Sequence, residues 1–132
     1  PGDPGSLIDD FNANGYETAF FSAQDESFGH DFDVGFARAA VRYDARVDRD
    51  KRFTQFATPA SLTVSWNVLE ARVEAFLGRR SGDTPLFLHI NLQDGHFPYT
   101  NPDIRPLLDG TTLSRSELLA SRGPDLRRMY LN

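Results

Sequence analysis

Apolar and polar positions follow two rhythms along this chain. In "SLTVSWNVLEARVEAFLGRR", residues 61–80, Leu62, Trp66, Leu69, Val73, Phe76 and Leu77 recur at spacings of three and four. That spacing predicts one helix with a single buried stripe. Ser61 stands where an N-cap belongs, and Gly78 with Arg79 and Arg80 suits a helix end, where cations meet the negative pole. In "PLFLHINL", residues 85–92, Leu86, Phe87, Leu88, Ile90 and Leu92 place apolar groups on both alternating faces. Such a strand belongs in the middle of a sheet with helices on each side. "YETAFFS", residues 16–22, rich in aromatic and β-branched residues, predicts a second strand. Before it, "SLIDDFNANG" predicts a short helix with Ser6 as N-cap, Leu7, Ile8 and Phe11 on its apolar side, and Gly15 just past its end. Helix, glycine, strand is the usual connection of layered α/β proteins.

Elsewhere the pattern is weaker. "PGDPGS" is a loop by composition, and "AQDESFGHDFDVGF" predicts an ordered loop with a short helix near residues 34–39. "AAVRYDAR" can form a short strand with Val41 and Tyr43 on one face, and "VDRDKRFTQFATPA" is polar and irregular. Toward the end, Ser114 and Glu117 have capping-box spacing, and Pro124 suits the first turn of a further helix. The fold class expected is α/β: a partial three-layer α/β/α sandwich with a mostly parallel central sheet. Two clear strands do not make a stable sheet. Residues 1–132 are therefore expected to be one partial domain, an internal segment of something larger, whose sheet edges pair with strands of the parent or of another chain.

Composition narrows the function. At 39% apolar and 25% charged residues the chain has ordinary globular character, and 11 phenylalanines call for a real core. Net charge is −5, and the basic group Arg46, Arg49, Lys51 and Arg52 is interleaved with Asp44, Asp48 and Asp50. It reads as a solvated loop, and no nucleic-acid partner is expected. Without cysteine there is neither a disulfide nor a thiolate metal site. No apolar run approaches the ~18–20 residues of a membrane span, so no membrane contact is expected from this segment.

The chemistry centres on "NLQDGHFPYT", which follows the strand at residues 85–92. In α/β proteins the loop at the carboxyl end of a parallel strand opens into the ligand crevice. His96 there can donate a hydrogen bond to an anionic oxygen or protonate a leaving group, with Pro98 stiffening the loop and Phe97 and Tyr99 anchoring it. A surface histidine in an ordinary turn is the other reading. His89, inside the strand, reads as structural, and His30 as solvated. Asp25, Glu26, Asp31 and Asp33 lack the ligand order of a calcium loop. No G-x-S-x-G nucleophile elbow exists.

"NGYETAFFSAQDESFG", then "VGFARA", then "PLFLHINLQDGHFPY" resemble the sulfatase branch of the alkaline phosphatase superfamily, over most of the chain from Leu7 to Asn132. In that family a helix ending in Gly-Tyr-x-Thr leads into a strand, an active-site loop and a Gly-Phe-Asp element. Gly15, Tyr16, Thr18, Gly35 and Phe36 match it, with Ala37 where aspartate is usual. A later strand of the family runs into a Phe/His-x-Pro-Tyr loop whose histidine contacts the sulfate or the leaving-group oxygen. His96 matches that position.

The resemblance implies a catalytic role for His96 and substrate binding by His96, Gln24 and Asp25. It implies no metal ligand in this segment. The full-length parent would supply a divalent cation (Ca or Mg, or else Mn or Zn) and a formylglycine or Ser/Thr nucleophile. The substrate would be a small-molecule or glycan sulfate or phosphate ester. The parent would be periplasmic, extracellular or membrane-anchored, and the segment alone would be inactive. Where the family has Gly-Lys-x-His-x-Gly, this chain has "SAQDES", residues 22–27, with neither cation. A phospho-transfer relative of the lipoteichoic-acid-synthase or phosphoethanolamine-transferase kind fits as well. From another class, so does a non-enzymatic α/β interaction module.

Overall fold

The computed structural model describes residues 5–27, 35–54 and 62–93, together with Asp103, residues 115–120, Gly123, Pro124 and Arg127. Helix α1 (Leu7–Ala13) opens with a capping box. The Ser6 hydroxyl accepts from the Asp9 N–H at 3.3 Å, and the Asp9 carboxylate accepts from the Ser6 N–H at 2.8 Å. Gly15, at φ +77°, turns the chain into strand β1 (Glu17–Ser22) through a conformation that a side chain would strain. Strand β2 is Val41–Tyr43, and a two-residue antiparallel pair, β3 (Phe53–Thr54) and β4 (Leu62–Thr63), precedes helix α2 (Trp66–Leu77). Strand β5 (Leu86–Asn91) and helix α3 (Arg115–Ala120) follow.

The sheet runs β2-β1-β5, with both pairings parallel. Alternation along β1 divides the core. Ala19, Phe21 and Ala23 join Tyr43, Val64, Leu69, Val73 and Phe76 in one buried cluster, with Leu86, Leu88 and Ile90 packed against it. On the opposite face Phe20 meets Ile8 of α1 and Ala39, with Phe36 and Phe87 alongside. One helix thus covers each face, so the chain is α/β with three layers, as the pattern predicts.

Two expectations change. First, β1 is the central strand, and β5 lies at the sheet edge among the described residues, half-buried along its length. The helical layer on each face accounts for the apolar groups on both sides of β5. Second, α2 begins at Trp66 with Ser65 at the N-cap position, four residues later than the pattern gives, and Leu62 belongs to β4. Pairing with the segment after β1 captures this stretch: the Asp25 N–H donates to Leu62 O and the Val64 N–H to Ala23 O, both at 2.8 Å. The short helix expected near residues 34–39 is present in the described part: Gly35 and Phe36 are π-helical, and the Ala39 N–H closes the following turn on Phe36 O at 3.0 Å.

Candidate functional site at the carboxyl edge of the sheet

β1 and β5 run side by side in register from Glu17 with Leu86 to Ser22 with Asn91, so both release their chains at the same edge. The loops leaving them are tied together by polar side chains. Ser22 is fully buried; its Oγ donates to Glu26 and accepts from Asn91 Nδ2 and from the Gln24 N–H, each at 3.1 Å. Asn91 Nδ2 also reaches Glu26 Oε1 at 3.2 Å, and Gln93 Nε2 donates to Gln24 Oε1 at 2.9 Å. Thr63 donates its hydroxyl to Ala23 O at 2.8 Å, fixing β4 against the same turn.

Asp25 is buried within this edge and holds Ser27 through both N–H and hydroxyl, while Arg52 closes on its other oxygen. Burial is the largest influence on its carboxyl and favours the neutral form. The Ser27 bonds and the Arg52 guanidinium together outweigh it and hold Asp25 below the ordinary carboxylate range.

Beside this edge lies a second polar group. Asp48 accepts from the Tyr43 hydroxyl at 2.9 Å and from Arg72 in a two-pronged contact at 2.8 and 2.6 Å; Lys51 lies 3.3 Å away. The Arg72 fork, working against burial and aided by Tyr43 and Lys51, holds Asp48 far below the usual range. Burial and then the Asp48 bond push the Tyr43 hydroxyl upward.

Of the predicted site residues, Gln24 and Asp25 stand together at the carboxyl edge. His96 lies outside the described residues, as do His30, Asp31, Asp33, Ser61, Asp94, Phe97, Pro98, Tyr99 and Ser114. His89, read as structural, stacks on Phe20 at a ring distance of 5.4 Å and packs tilted against Phe36 at 4.7 Å. Within the matched motifs, Thr18 bonds Asn12 Oδ1 at 2.8 Å and accepts from the Ala40 N–H at 3.1 Å. It pins α1, β1 and the approach to β2 to one point.

The acidic–basic stretch at residues 44–52 is solvated only in part: Arg49, Asp50 and Lys51 are exposed, as its composition gives, but its first two aspartates are not. Asp44 and Asp48 are buried and paired, Asp44 with Arg46 at 2.7 Å. The signal was legible as aspartates followed two or three positions later by a cation, each pair closing a tight turn. Sequence reasoning gave no role to Ser22, Asn91 and Gln93, and took Glu26 only as a poor cation ligand and Arg52 only as part of a solvated loop. Only the change from apolar to polar residues after Ile90 hinted at them. Among the described residues no helix is long and apolar enough to cross a membrane. Comparison of the chain with protein-family models, with curated proteins and with solved structures returns no match.

Proposed function

We propose that this chain is a segment of a sulfatase-like hydrolase, acting on sulfate or phosphate esters through the carboxyl edge of its sheet. The observation that supports it most is the shared edge of β1 and β5, where Ser22 and Asn91 lie in register and their loops are cross-bonded. His96 follows Gln93 by only three residues along the β5 loop. In this reading His96 donates a hydrogen bond to the ester or a proton to its leaving oxygen. Gln24 offers an amide to the ester, and Asp25 holds the Arg52 guanidinium, a group suited to anionic oxygens, at the same edge. A divalent cation in the full-length protein would neutralise the ester's charge. Among the described residues no group of His, Cys, Asp and Glu forms a ligand set for it, and the roles given to this chain do not need one.

The test is turnover of an aryl sulfate and of an aryl phosphate by the full-length protein and its His96→Ala variant. His96→Ala is expected to lower turnover by about 10²-fold or more, the scale of a general acid. Unchanged turnover returns His96 to a structural turn. Preference between the two esters separates a sulfatase from a phospho-transfer relative.

A further inference from the structure

We propose that the cleft at the amino end of α2 is a binding site for a small organic monoanion, a carboxylate or sulfonate head on an aromatic body. The cleft measures about 630 Å³ and is bordered by Lys51, Phe53, Ser65, Val68, Arg72 and Asp103. Its size suits a small organic molecule, and an inorganic ion would leave most of it empty.

Ser65 marks where the head sits. The residue is only 5% exposed, yet its hydroxyl does not cap the helix it precedes. Among the described residues this hydroxyl has no hydrogen-bond partner, and no side-chain oxygen sealed within them is left unbonded. The Ser65 hydroxyl is therefore reached from the cleft it lines. An anionic oxygen in the cleft would give this otherwise unbonded hydroxyl an acceptor. The first bonds within α2 and its cap come from the Val68 and Leu69 N–H groups, both to Ser65 O at 3.2 Å. A twelve-residue helix thus ends here with its positive pole and its earliest N–H groups beside that hydroxyl.

The charges then fix the valence. Lys51 and Arg72 are both held by Asp48, at 3.3 and 2.6 Å from its Oδ1. Two cations on one carboxylate leave one positive charge in excess. Asp103, also on the cleft, adds a carboxylate to its border. The helix pole and the Ser65 hydroxyl still favour a single negative charge, while Asp103 disfavours a dianion. Phe53 and Val68 supply the apolar wall for the body.

This site does not rest on the hydrolase reading, because its test is binding and not turnover. Trp66, the single tryptophan of the chain and the first residue of α2, is a built-in reporter. Benzenesulfonate and benzoate, titrated into the whole protein, should shift its fluorescence saturably, with a dissociation constant of about 1 mM or tighter. Ser65→Asp gives α2 the cap it lacks and puts a negative charge where the head would lie. It should raise the melting temperature while weakening benzenesulfonate by about tenfold or more. Lys51→Gln, on the half-exposed rim, should weaken it severalfold and decides the matter should Ser65→Asp not fold. Phenylphosphonate at pH 8, a dianion, should bind less well than benzenesulfonate, and neutral benzyl alcohol should not compete. The proposal is overturned by the absence of saturable binding, by affinity untouched in the variants, or by benzyl alcohol binding as well as the anions.

Discussion

Asp48 shows how one carboxylate can organise a loop. It is 4% exposed and receives a tyrosine hydroxyl, an arginine fork and a lysine. Because β2, the turn at Arg49–Lys51 and α2 each supply a partner, removing its charge loosens all three at once. Asp48→Asn is expected to cost about 2 kcal/mol, since it leaves Arg72 without its ionic partner. The pH dependence follows from two opposite shifts. Asp48 and Asp25 lie below the ordinary value of 3.8, so their stabilisation is present above that pH and is lost as pH falls toward their folded values. Tyr43 lies above its ordinary 10.0, so its contribution is full below that pH and is lost as pH rises beyond it. Melting temperature against pH should show a plateau with an acid and an alkaline limb. In Asp48→Asn the acid limb should become shallower; an unaltered limb would show that Asp48 does not carry the acid sensitivity.

At the scale of elements, α2 separates what a local pattern can predict from what it cannot. Leu69, Val73 and Phe76 form the buried stripe their spacing gives, because a helix with one face on a sheet repeats every three to four residues. Leu77 fits the same spacing but ends 43% exposed, at the last turn where the helix leaves the sheet. Leu62 fits it too, but in β4 it pairs with Thr54 and its carbonyl accepts from the Asp25 N–H, while Thr63 and Val64 beside it bond Ala23 O; contacts to residues some forty positions away carry no local signal. Leu69→Ala should cost about 2–5 kcal/mol by opening a cavity against β1. Leu77→Ala should stay within about 0.5–1 kcal/mol, as exposed substitutions do. Equal losses in chemical denaturation would mean that the stripe does not carry the packing. The candidate site was legible in the same uneven way. Gln24 and Asp25 came from the resemblance of the motif that contains them, whereas Arg52 reaches Asp25 from a distant turn that sequence separation hides.

For the whole molecule, the open question of scale is the width of the sheet, and β5 frames it. Leu86, Leu88 and Ile90 face one core and Phe87 the other, so both faces of β5 are covered while the edge away from β1 has no strand among the described residues. The parallel register makes this measurable. The Glu17 N–H donates to Pro85 O and the Ala23 N–H to Asn91 O, which turns the amides of Phe87, His89 and Asn91 toward β1. Those of Leu86, Leu88 and Ile90 then point to the outer edge. Hydrogen exchange should therefore alternate along β5, slow at the first three and faster by orders of magnitude at the second three, with β1 protected on both sides. Uniform protection along β5 would overturn the edge assignment and mean that another strand completes the sheet there. An unpaired edge on a strand this apolar is a template for association. A charged substitution that leaves the packed faces alone, Leu92→Lys at the half-exposed position just past the strand's end, would then be the change to compare by sedimentation if the alternation is found, with less association expected in the variant.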